Sequence, residues 1–187
     1  MKLKWFIAGA LVAGVLQSVA LGKIIYDRAE LIRSGREVII QSAMVDPRDL
    51  FRGHYVTLNL TVGTIRDESI PISQDLKADG PVYVELKKGE NEFWVAKQLH
   101  ADYPQNTDAP VIKGKIRRGW LSGNNVRNMR IRFPFDRFFA DKAKAKDLEK
   151  VRRDRKLGVI VSVGSDGAGV IKGISVDGEV IYNEPVW

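Results

Sequence analysis

The chain has 187 residues, a formal charge of +7 and no cysteine, which excludes disulfides, thiolate metal sites and a cysteine nucleophile. With one apolar N-terminal segment set aside, the remainder suffices for a single domain of about 150 residues. The positive excess is local: between Lys142 and Lys156, eight Lys or Arg stand against Asp147, Glu149 and Asp154, and this stretch alone carries +5 of the +7.

The first predicted element is a transmembrane helix. Met1-Lys2-Leu3-Lys4 is a short basic leader, and Trp5 to Gly22 contains no charged side chain. A helix from Trp5 to Ile25 spans roughly 31 Å, close to the hydrocarbon thickness of a bilayer. Lys23 can snorkel, and Trp5 and Tyr26 suit the two interfaces. The competing reading is a cleaved signal peptide, since Ser18-Val19-Ala20 has the small-x-small form; the apolar run exceeds the usual h-region, which favours a retained anchor. The leader places the N-terminus inside. Ala10, Gly14, Ser18 and Gly22 recur every fourth residue beside Gln17, a ridge of small side chains that lets another helix approach closely. That ridge points to a membrane partner or a homodimer.

Residues 1–35 form the anchor and its juxtamembrane continuation, with Tyr26 to Ser34 extending the helix and Gly35 stopping it. Residues 36–187 form the exposed domain, mainly β, a barrel or sandwich. Its predicted strands are Glu37–Val45, His54–Leu60, a hairpin of Pro81–Lys87 and Glu92–Gln98, then Pro110–Arg117 and Val126–Phe133 around a Gly119–Asn125 loop. Gly158–Gly164, Val170–Val176 and Glu179–Tyr182 follow, with a glycine-rich turn at Asp166–Gly169 and Asp177-Gly178 between the last two. One charged helix is predicted over Asp136–Lys156, rich in Ala, Lys, Leu and Glu.

Between the first two strands, Arg48, Asp49, Arg52 and His54 crowd one turn with Asp46 close by. As a recognition site, this loop would offer arginines for bidentate carboxylate or phosphate contacts. As architecture, Asp46 and Asp49 would form an Asx turn or cap, and an arginine would pair locally. Gly53 and Tyr55 read as structural, the one through backbone freedom and the other through a buried ring with a paired hydroxyl.

The run Asp46-Pro47-Arg48-Asp49-Leu50-Phe51-Arg52-Gly53-His54-Tyr55-Val56-Thr57-Leu58-Asn59-Leu60 resembles the bacterial membrane-anchored GDYXXLXY family. Gly53, Tyr55 and Leu58 match its signature, while His54 stands for the Asp and Leu60 for the final Tyr. Arg137-Phe138-Phe139 ahead of Leu148-Glu149 is similar to the family's later aromatic stretch. The resemblance implies one anchor and one extracytoplasmic domain working with polytopic membrane proteins, and it implies no activity.

The leading expectation is therefore a non-enzymatic accessory or interaction protein of the bacterial envelope, held in the inner membrane with its C-terminal domain in the periplasm. The alternative is an anchored Ser-Lys hydrolase similar to signal peptidases, with Ser42 as nucleophile; the sequence singles out no lysine base for it, although Lys77, Lys87 and Lys88 are available. No cofactor or metal is expected: the two histidines, His54 and His100, have no evident reason to converge, and Gly164–Gly169 lacks a phosphate-loop ending. The basic 142–156 segment suits an acidic partner or anionic headgroups. Nucleic acid is not expected as a partner, because the chain is tethered and no aromatics interleave the basic run.

Overall fold

The computed structural model describes residues 2–43, 55–66, 69–122, 125–139 and 157–185. The first element, α1 (Lys2–Ser34), is proline-free and rich in Ala, Leu, Val and Ile. It is long and apolar enough to cross a membrane, and none of its apolar window is buried by the rest of the chain. Trp5, Leu11, Leu16, Leu21 and Ile25 all point into open space. Among the described residues the helix meets the domain only at its foot, where Ile32 is buried and Gly35 N–H donates to the Leu31 carbonyl at 3.0 Å.

Beyond Gly35 the described chain is built on antiparallel strands. One five-stranded sheet contains β1 (Arg36–Ala43), β3 (Asn59–Leu60), β10 (Leu157–Val163), β11 (Gly169–Val176) and β12 (Glu179–Asn183), in the order β12-β11-β10-β1-β3. The other contains β4 (Thr64–Ile65), β5 (Pro81–Lys88), β6 (Trp94–His100), β7 (Val111–Ser122) and β8 (Asn125–Arg132), in the order β4-β8-β7-β5-β6. A separate ribbon pairs β2 (Tyr55–Thr57) with β9 (Arg137–Phe139). A 3-10 turn at Thr61–Gly63 carries the chain from the edge of the first sheet to the edge of the second.

Alternation explains why these segments are strands. Val38 and Ile40 are buried while Glu37 is exposed, and Val82 and Val84 are buried beside exposed Pro81. With a period of two, one face collects the apolar side chains. Those of β1, β10 and β11 join those of β5, β7 and β8 in one continuous core, so the sheets form a sandwich-like pair. Asp177 and Gly178 both have positive φ, the conformation of a two-residue type I′ turn, and close the β11–β12 hairpin between Val176 and Glu179.

Three boundaries differ from those the sequence suggests. Arg137–Phe139 does not begin the charged helix but forms β9, because two aromatics directly after the Phe133–Asp136 turn favour pairing with β2; residues 140–156 lie outside the described residues. The expected His54–Leu60 strand is divided: Leu58 N–H donates to the Asp136 carbonyl at 2.8 Å, and the segments on either side pair with β9 and β1. The Gly119–Asn125 loop is much shorter, since Trp120 and Leu121 continue the β7 ladder to Ser122 and bulges absorb the mismatch with β8.

Candidate functional site

The described site-forming region lies where α1 enters the sheets. The Leu31 carbonyl accepts both Gly35 N–H and, at 2.6 Å, the hydroxyl of fully buried Ser162 on β10. A side chain at position 35 would stand 2.6 Å from that carbonyl, so glycine is required by close approach. The helix end is thereby stitched to the middle of a sheet.

Opposite the helix runs the loop joining β6 to β7. Arg36, the first residue of β1, donates a hydrogen bond to the Asp108 carbonyl and lies 5.6 Å from the Trp94 ring centroid. From below, the loop is held by Glu85 on β5, which is only 4% exposed. Thr107 Oγ1 donates to Glu85 Oε1 at 3.0 Å, Lys97 Nζ reaches the same oxygen at 2.7 Å, and His100 Nε2 lies 2.9 Å from Oε2. Thr107 Oγ1 in turn accepts Ala109 N–H at 3.1 Å. Burial pushes the Glu85 carboxyl up, but the hydrogen bonds from Lys97, His100 and Thr107, with the charge on Lys97, outweigh it and hold the group below the usual glutamate range. A buried carboxylate satisfied by three donors fixes a loop in place.

Between α1, this loop and the β10–β11 turn lies a cleft of about 910 Å³, lined among others by Ile24, Arg28, Leu31, Tyr103, Asp108 and Val170. On the helix side its lining mixes Ile24 and Leu31 with Asp27, Arg28, Glu30 and Ser34. There Lys23 Nζ pairs with Asp27 at 2.5 Å, both groups exposed.

Of the residues the sequence singles out, Arg48, Asp49, Arg52, His54 and Gly53 lie outside the described residues, and Tyr55 opens β2 opposite Phe139. Ala10, Gly14, Ser18 and Gly22 share the open surface of α1; a Cβ at Gly14 or Gly22 would meet nothing within 4 Å, and Ser18 Oγ donates to the Gly14 carbonyl at 2.9 Å. Ser42 is buried in β1 between Leu60 and Leu157, its hydroxyl 3.4 Å from the Asn59 carbonyl. Lys87 and Lys88 end β5 in the other sheet, opposite Val95 and Trp94, and Lys77 precedes that strand. Among the described residues no three His, Asp or Glu side chains converge as metal ligands.

The Glu85 cluster escapes a sequence reading because Val84-Glu85-Leu86-Lys87-Lys88 looks like a strand end running into solvent. The usable signal is the spacing of Tyr83 and Glu85 on one face of a strand, with Lys97 and His100 on its hairpin partner.

The family model for the GDYXXLXY protein matches residues 17–174. The chain belongs to the GDYXXLXY family. The match starts within α1 and ends in β11, so it takes in the stitched junction, the whole of the second sheet and the first sheet up to β11, but not β12. No curated protein and no solved structure matches this GDYXXLXY protein.

Proposed function

We propose that this GDYXXLXY protein is a non-enzymatic, single-pass accessory subunit of the bacterial inner membrane, with its β domain in the periplasm and its helix ridge docked on a polytopic membrane protein or a second copy. The observation that carries the reading is the contrast along α1: Trp5 and the apolar side chains from Ile7 to Ile25 are bare, while Leu31 and Ile32 are engaged by the domain. A helix bare in this way is stable in lipid, where its backbone bonds are satisfied internally. Because the foot of the helix is stitched to β10, the orientation of the domain and the rotation of the ridge are set together. The basic leader supports the inside placement of the N-terminus.

The test is purification of the full chain from membranes in mild detergent. A membrane protein, or a second copy, is expected to co-purify and to be lost from the Gly14→Leu, Ser18→Leu variant, whose larger side chains block close helix approach. Recovery of a monomer alone contradicts the proposal.

A further inference from the structure

Lys113, Lys115 and Arg117 alternate on the exposed face of β7, while Ile112, Gly114 and Ile116 between them are buried. Lys115 is the direct cross-strand partner of Arg132 on β8. Like charges placed opposite one another in an antiparallel pair destabilise it, a cost that the Asp136 carboxylate beside Arg132 offsets only on the Arg132 side. These four cations line a cleft of about 630 Å³ whose walls include Pro81, Phe133 and Pro134. Two carboxylates share the lining, Asp79 and Asp136, and Asp136 is committed to Arg132 at 2.9 Å. Lys113 Nζ lies 5.6 Å from the centroid of the Tyr83 ring. Among the described residues no carboxylate pairs with Lys115 or Arg117.

We propose that this cleft is a phosphate-binding site. Lys115 and Arg117 supply the free donors, Arg132, oriented by Asp136, supplies a planar fork, and the Lys115–Arg132 repulsion is relieved when an anion sits between them. The position fits two sources of the group. The Lys113 N–H donates to the Gly167 carbonyl at 2.8 Å, and Gly167 belongs to the β10–β11 turn that borders the cleft at the foot of α1. The cleft is lined by β7, β8 and the residues before β5, open to free phosphate, and a phospholipid headgroup is the second source of the same chemical group.

The full chain in phosphatidylcholine nanodiscs is titrated with inorganic phosphate, with chloride at matched ionic strength as control, and the unfolding midpoint is read. Phosphate is expected to raise the midpoint where chloride does not, and Lys115→Ala, Arg117→Ala is expected to weaken the apparent affinity at least about tenfold, since hydrogen bonds to charged groups are lost. Lys115→Glu turns the repelling pair into an attractive one. It is expected to raise the midpoint by about 1–3 °C without phosphate while abolishing the phosphate response, which separates loss of the site from loss of the fold. Repeating the titration in phosphatidylglycerol nanodiscs assigns the source: a blunted response means headgroups already fill the cleft, and an unchanged one means that it takes a soluble phosphate. Equal effects of phosphate and chloride, or a phosphate response that survives Lys115→Glu, overturn the proposal.

Discussion

Leu16 and Leu86 are the same residue in opposite circumstances. Leu16 is 65% exposed on α1, and Leu86 is wholly buried between the sheets. Removing a leucine side chain from water is worth about 1.5–3 kcal/mol. The β domain realises that gain within its own core, whereas α1 from Ile7 to Ile25 realises none of it. One part of the chain buries its apolar side chains in its own core and the other leaves them bare, and the seam between them is sharp: Leu21 and Ile25 are bare, and Ile32, two turns later, is buried.

The largest effect expected from breaking this contrast is in the core. Leu86→Ala should cost about 2–5 kcal/mol of domain stability, because the transfer term and a cavity add. Leu16→Ala should change the same unfolding transition by less than about 0.5 kcal/mol, as befits a side chain outside the packed structure. Chemical denaturation of the two variants in one detergent measures both. A similar cost for each would mean that α1 belongs to the domain's cooperative unit.

A smaller effect is expected at Glu85, which sharpens the comparison because it brings a charge into the buried side. Glu85→Gln keeps the shape but gives up charge-assisted bonds, for an expected loss of about 1–3 kcal/mol near neutrality. The pH dependence has a definite sign. The folded carboxyl lies below its ordinary value, so the wild-type contribution is complete above the unfolded value of about 4.3 and disappears as pH falls through the lower folded one. The stability gap between wild type and Glu85→Gln should therefore narrow only on acidification. A gap independent of pH down to the acid limit would show that the carboxylate charge contributes nothing.

Most of the fold was legible because its signals are local. The alternation around Val38 and Ile40, the Asp177-Gly178 turn and the uncharged run after Lys4 each specify their element without reference to distant residues. What was not legible depends on partners far along the chain. The short β4 exists because Thr64 and Ile65 find Arg130 and Met129. Phe138 and Phe139 are in a strand because Tyr55 and Val56 lie opposite them. For the site, the end of the helix at Gly35 could be read, but the Ser162 hydroxyl that holds it comes from 131 positions beyond Leu31. Glu85 likewise looks like surface until the loop carrying Thr107 folds over it. The cations of β7 are visible as an alternating run in Val111-Ile112-Lys113-Gly114-Lys115-Ile116-Arg117. Their meaning emerges only from the register that sets Lys115 against Arg132.

The central claim is that the bare surface of α1 is solvated by lipid in the mature protein. Alkaline extraction of membranes, with mass determination of the recovered chain, tests it directly. The polypeptide is expected to stay in the membrane pellet with residues Trp5 to Ile25 intact. A chain released into the supernatant, shortened after Ala20, would contradict it.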